Sequence, residues 1–369
     1  FAMPGGQPEK DWPVQTYVSR LKEKNTPVRR YLYNEPDTFF KTFLIKIATK
    51  LGFPPLSPTE WLADVIKEWK PDIIHTLGLF DDQGGEFYLQ ARHQYHLENI
   101  GKWVLQLRGG SDMALRHNLP ECQPVLQQAL NECDYLICDN YKNIEYCEKF
   151  GIQKSKFVTF IPVPGTGGID LTESATTKIA LPSQRKRIIV WPKAYECKWS
   201  KATPILEAIK SYWNEIKPCE IYMLAINQET YEWFMTLPKE IRQNCHLSQR
   251  IPRSEVMNFL KQARIMLAPS LVDGVPNSLY EAMAYGAFPI VSPLDTITPV
   301  MKQEKNVLFA RNLYPDEIGK AIIQALNDDN LVDNAAKQNF IDVEKFADRN
   351  RIQQDVIHFY ESLNDSKEK

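Results

Sequence analysis

Ala268-Pro269-Ser270-Leu271-Val272-Asp273-Gly274-Val275-Pro276-Asn277-Ser278-Leu279-Tyr280-Glu281-Ala282-Met283-Ala284-Tyr285-Gly286 is the most informative stretch of this 369-residue chain. The apolar run Ile265-Met266-Leu267 leads into it as a strand buried on both faces. A helix of about two to three turns follows, and Gly286 can take the left-handed conformation that ends it. In open α/β sheets a ligand sits beyond the carboxyl ends of the strands, where this loop must lie. Gly274 permits close backbone approach and Pro276 fixes the entry. From Val275 onward the chain turns into the helix, and the N–H groups of Asn277, Ser278 and Leu279 should face outward with the positive end of its dipole. Such an end cradles a diphosphate. Asp273 and Glu281 then set a carboxylate on each flank, one for sugar hydroxyls and one for a ribose. A plainer reading stands beside this one: Ser278 and Glu281 form a capping box, which needs no ligand.

The same alternation of strand and helix runs outward in both directions. Ile188-Ile189-Val190, Ile221-Tyr222-Met223-Leu224, Phe288-Pro289-Ile290-Val291 and Val307-Leu308-Phe309 are short apolar runs suited to parallel strands covered by helices. Ile73-Ile74, Trp103-Val104-Leu105 and Tyr135-Leu136-Ile137 repeat the plan in the first half, after a strand expected at Val28–Tyr33 and a helix capped by Asp11. Phe1-Ala2-Met3 reads as the end of a strand that begins before residue 1. From Ile161 to Arg187 the periodicity stops, and Pro162-Val163-Pro164-Gly165-Thr166-Gly167-Gly168 has linker composition.

The whole 268–286 string resembles the family 4 retaining glycosyltransferases of the GT-B fold, whose signature is an acid, seven residues and a Glu around a Gly-x-Pro-Asn-Ser-Leu-x-Glu-Ala-Met-Ala-x-Gly core. The first acid of that family is usually Glu; here it is Asp273. The resemblance implies an α/β chain of two Rossmann-like doubly wound domains facing across a cleft. Residues 1–165 would form the acceptor-binding domain, 166–345 the nucleotide-sugar-binding domain, and 346–369 a C-terminal helix crossing back to the first. It further implies Asp273, Glu281, Lys193 and Lys198 as catalytic residues. The family places two cations after its equivalent of the Ile188 strand. Lys193 and Lys198 have its separation, while Lys201 sits better relative to the next helix, and solvated loop lysines are the plainer reading. Arg250-Ile251-Pro252-Arg253-Ser254-Glu255-Val256 resembles the family's turn beside the base, with Arg250 in place of Gly. There Pro252 with Ser254 as cap also makes an ordinary helix start.

In the first half, Pro4-Gly5-Gly6 resembles the family's glycine-rich turn near the donor phosphate. Leu107-Arg108-Gly109-Gly110-Ser111-Asp112 resembles its His-Gly-Ser-Asp turn, with Arg108 for His and one extra Gly. Arg108, Gly109 and Asp112 are thereby acceptor-side candidates, with Asp112 equally a helix cap. His75 is read as ending a buried strand that points at the cleft, where a satisfied core histidine is the commoner outcome.

Charge and composition narrow the class. Forty-four basic against 46 acidic residues leave no global field for nucleic acid. The seven cysteines match neither zinc nor redox spacing and read as free thiols in a reducing compartment, so a cytoplasmic location is expected. No apolar run is long enough to span a bilayer. Phe39, Phe40, Phe43, Leu44 and Ile47 with Lys41, Lys46 and Lys50 make a basic amphipathic stretch. It suits either a core-facing helix with a solvated edge, the favoured reading, or peripheral contact with a membrane.

The expected activity is therefore retaining, metal-independent transfer of a sugar from a nucleotide diphosphate to a hydroxyl on a glycan or lipid-linked acceptor, as in polysaccharide, glycolipid or glycoconjugate synthesis. No metal and no other cofactor is expected, and the oligomeric state is left open. The alternatives are a sugar phosphorylase or donor hydrolase of the same fold, and a non-catalytic sugar-binding or partner subunit.

Overall fold

The computed structural model describes residues 2–4, 29–31, 50, 57–80, 84–158, 162–172 and 179–365. Gly6, the Asp11 helix and all of the Thr38–Leu51 stretch but Lys50 lie outside the described residues. The chain groups into two compact units, Phe1–Gln106 with Pro120–Leu136 and Leu107–Leu119 with Ile137–Lys369. Residues 107–119 and 137–165, placed with the first domain on sequence, group with the second unit.

In the first unit β1 (Ala2–Pro4) pairs in parallel with β2 (Arg29–Tyr31). A three-stranded sheet follows in the order β3 (Ile73–Leu77), β4 (Lys102–Leu107), β5 (Tyr135–Cys138). Its centre is fixed by Trp103, fully buried in β4. The indole N–H donates to Thr76 Oγ1 at 3.0 Å, and the Tyr88 ring meets it edge-on. A buried indole needs such an acceptor, because an unpaired N–H in a core is costly. The helix Pro58–Trp69 opens on a capping box, Ser57 Oγ accepting from Glu60 N–H at 3.1 Å while the Glu60 carboxylate accepts from Ser57 N–H.

The second unit is built on six parallel strands in the order β11-β10-β9-β6-β7-β8. They are β6 (Ile188–Trp191), β7 (Glu220–Met223), β8 (Cys245–Leu247), β9 (Ile265–Ala268), β10 (Phe288–Val291) and β11 (Leu308–Phe309). Successive residues of a strand face opposite sides of the sheet, and here each side is a separate core. Ile189, Trp191, Ile221, Met223, Leu267 and Ile290 pack beneath the helices Thr203–Ser211 and Pro315–Asn327. Ile188, Val190, Met266, Ala268 and Val291 pack beneath Arg253–Gln262, Asn277–Tyr285 and Asp329–Ala347. Double coverage explains why these strands read as unbroken apolar runs.

From β6 the chain winds one way to β7 and β8, then returns to the other side of β6 as β9. Ile189 lies opposite Ile265 and Val190 opposite Met266. The loops leaving these two neighbouring strands must therefore diverge, and a crevice opens at their carboxyl ends. The opposite end is locked by Arg264, 3% exposed. Its backbone N–H reaches Ile188 O at 2.9 Å, while the guanidinium donates to Ala325 O at 2.9 Å and Asp329 Oδ1 at 2.7 Å. Cutting this side chain to Ala leaves a buried carbonyl unpaired. It should lower unfolding stability by about 2–4 kcal/mol, read as an earlier urea midpoint, with ligand affinity at the far crevice unchanged in the folded protein.

Candidate active site at the crossing point of the sheet

The crevice at the ends of β6 and β9 is an open pocket. One wall is the segment after β6, with Lys193, Tyr195 and Trp199; the other runs from Pro269 through Asp273 to Ser278. Trp199 O binds the two walls together, accepting from Leu271 N–H at 2.8 Å and Val272 N–H at 3.2 Å.

Lys193 Nζ lies 3.0 Å from Asp273 Oδ2 across the pocket. Desolvation pulls this ammonium down. The carboxylates of Asp273 and Glu281 and the nearby Tyr195 outweigh that and hold it above its ordinary value. Lys198 lies over the Trp199 ring and Lys201 pairs with Glu196 Oε1 at 2.7 Å, so neither lines the pocket.

The helix Asn277–Tyr285 begins after Pro276 and ends at Gly286 with φ 75°, the left-handed stop. Its start carries no side-chain cap. The capping box that the sequence allows is thus not formed: Ser278 sits inside the first turn and its Oγ, buried on the pocket wall, has no hydrogen-bond partner among the described residues. Leu279 corrects the sequence expectation in another way. Its N–H turns back to Pro276 O at 2.9 Å and its side chain is core, leaving Asn277 and Ser278 to supply the outward amides. Val275 is likewise core, whereas Asn277 Oδ1 accepts from Thr166 Oγ1 at 3.1 Å. Thr296 Oγ1 secures the turn beneath, donating to Asp273 O at 2.8 Å, and Gly274 N–H closes on Asp273 Oδ1.

Glu281 is 7% exposed, and its Oε1 receives two nitrogens of Arg253 at 2.8 and 2.9 Å. Arg253 went unrecognised in the sequence, where only Arg250 of that turn drew a functional reading. The missed signal is its place as first residue of the helix Arg253–Gln262, packed beside the Asn277–Tyr285 helix. Ser254 does not cap that helix. The Arg250 charge acts on Tyr195 and does not line the pocket.

The remaining candidates fall elsewhere. Arg108 donates through its guanidinium to Gly165 O at 3.1 Å and through its backbone N–H to Asp112 Oδ2 at 2.8 Å. Asp112 therefore ties its own turn and starts no helix, the residues after it being turns. Gly109 has φ 64° and donates to Asp139. His75 stands in the middle of β3, not at its end, and is exposed. No group of three His, Cys, Asp or Glu side chains among the described residues is placed to hold a metal ion, and no described helix is long and apolar enough to cross a membrane.

A six-stranded parallel sheet with its crevice at the reversal of strand order defines a Rossmann-like, doubly wound class of architecture. The fold of the chain is that of the GT-B glycosyltransferases. A glycosyltransferase from Rickettsia africae superimposes with a TM-score of 0.64 at 12% identity, over 94% of this chain and 88% of that one. HepE from Anabaena, solved with UDP-glucose, gives 0.65 at 12% identity over 99% and 98%. Sucrose-phosphate synthase from Thermosynechococcus elongatus gives 0.64 at 15% identity over 93% and 84%. Residues 226–340 match the family described as Glycosyl transferases group 1, which supports sugar transfer as the general chemistry. No curated protein matches the chain by sequence.

Because the Ser278 hydroxyl is unpaired, losing it should not weaken the fold. Ser278→Ala is expected to change unfolding stability by less than about 1 kcal/mol, or to raise it, as measured by thermal or urea denaturation.

Proposed function

We propose that this chain is a retaining glycosyltransferase that moves a sugar from a nucleoside diphosphate to a hydroxyl acceptor. One observation carries the reading. At the crossing point of the sheet, the amides of Asn277 and Ser278 and the Ser278 hydroxyl have no acceptor among the described residues, and Ser278 lines the same pocket as the Lys193–Asp273 pair. Donors without acceptors at a helix start suit a pyrophosphate. HepE, of the same fold, was solved with UDP-glucose, and S. aureus TarM with UDP, which supports a nucleotide-linked donor.

In this reading the pyrophosphate sits on the Asn277 and Ser278 amides. Asp273 holds hydroxyls of the donor sugar, and Glu281, oriented by Arg253, holds the ribose. Lys193 then exchanges Asp273 for the departing diphosphate, whose negative charge grows as the bond from the anomeric carbon breaks. The acceptor oxygen bonds to that carbon from the face the diphosphate leaves, and its proton passes to a phosphate oxygen. The products are the glycoside, with configuration kept, and the nucleoside diphosphate. No step calls for a metal. The acceptor is a glycan or a lipid-linked hydroxyl, reached from the cytoplasmic side.

UDP or GDP should raise the thermal midpoint of the protein, since a ligand that binds only the folded state stabilises it. Glu281→Gln and Lys193→Ala should each lower donor affinity or turnover about 10²–10³-fold, followed by release of nucleoside diphosphate. Unchanged transfer rates in both variants would overturn the assignment.

A further inference from the structure

Asp139 follows β5 directly and its side chain is 6% exposed. Its Oδ2 accepts from Gly109 N–H at 2.6 Å; its Oδ1 accepts from the Nδ2 groups of Asn140 at 2.7 Å and Asn143 at 3.2 Å. The Gly274 turn presses on the same carboxylate. A methyl group at Gly274 would lie 2.9 Å from Asp139 Oδ2 and 3.0 Å from Gly109 Cα. One at Gly110 would lie 2.4 Å from Asp273 O. The carboxylate is therefore wedged between two glycine turns, and the second of them carries Asp273 and leads into the Asn277 amides.

The charges facing this wedge are of one sign. Asp112 and Asp273 both repel it, and the buried Tyr280 phenol responds to its charge. The cations are engaged elsewhere, Arg108 on Gly165 O and Lys193 on Asp273. Three N–H donors in place of a cation are what hold an ionised Asp139.

We propose that Asp139 is a positioning residue for the donor site: its carboxylate holds the Gly109-Gly110 turn, that turn packs against Gly274 and Asp273, and so it sets Asp273 and the amides after it. This rests on the donor reading above. The clamp needs lone pairs for three donors, and protonation replaces an acceptor with a donor. Burial pushes the Asp139 carboxyl up to about 7, with Asp273 and Asp112 adding to it and the Gly109 and Asn140 bonds opposing. The clamp thus tightens as pH rises through neutrality.

Stability moves the other way. The folded carboxyl keeps its proton up to about 7, whereas the unfolded one releases it near 3.8. Between those values the folded state binds more protons, so stability falls as pH rises from about 4 to 7 and is level above.

The test is calorimetric affinity for UDP and GDP at pH 6 and pH 8, in wild type and Asp139→Asn. The terminal phosphate of either probe itself titrates near neutrality, so the difference between the two proteins is what counts. The ionised fraction rises about tenfold over this range, and wild type should gain up to about tenfold more affinity than the variant. Equal gains in the two proteins overturn the clamp and leave the donor reading standing. Wild type binding neither diphosphate overturns both. Should Asp139→Asn not fold, the Gly109 amide resonance of wild type replaces it. The proposal requires that resonance to titrate near pH 7, and a resonance that stays still refutes it.

Discussion

Two backbone amides and one hydroxyl at the start of a helix have nothing in the described protein to donate to, and the second unit is arranged around that fact. A helix start is ordinarily closed by a side chain, as Ser57 closes the helix Pro58–Trp69. The helix Asn277–Tyr285 instead follows Pro276, which has no side-chain acceptor to offer. The strand order puts this open start beside the segment after β6, and Thr296 and Trp199 fasten the connecting loop from below and from the side. The unsatisfied donors are therefore held on a rigid base, and an anion entering the pocket meets them without first having to order them.

Charge around the pocket is balanced within it. Lys193 and Asp273 neutralise each other at 3.0 Å, and Arg253 with Glu281 forms a second pair on the neighbouring helices. An uncompensated lysine here would attract any phosphate. Paired with Asp273, it favours an anion that brings hydrogen-bond donors for the carboxylate as well. The Asp at 273, shorter than the Glu usual in the resembling family, still reaches the lysine.

Much of the second unit was legible because its strands are buried on both faces. Ile188–Val190, Ile265–Leu267 and Phe288–Val291 announce themselves as continuous apolar runs, and Gly286 marks the helix end. Cys245–Leu247 was not foreseen as a strand: it is a sheet edge, only three residues long and partly exposed, with no periodicity to detect. Arg253 and Asp139 escaped for a different reason. Each acts on a partner far along the chain, Glu281 in one case and Gly109 with Gly274 in the other, and local pattern carries no record of such meetings. The Ser278–Glu281 spacing misled in the opposite sense, matching a cap at Ser278, whereas the helix is entered two residues earlier, from Pro276.

The segment with linker composition is stitched down at one point. Ile169 bridges Asp348 in strand fashion, donating its N–H to Ala347 O at 2.7 Å and accepting from Arg349 N–H at 3.0 Å. The Arg349 side chain reaches Gly168 O. The joint between the two last helices, Asp329–Ala347 and Arg349–Asp365, is thus a buckle for the strap that carries Gly165 and Thr166. Thr166 touches Asn277 and Gly165 receives Arg108. A protein shortened ahead of Asp348 would lose more than surface: the strap would come loose beside the pocket, and the final helices support the site although none of their described side chains lines it.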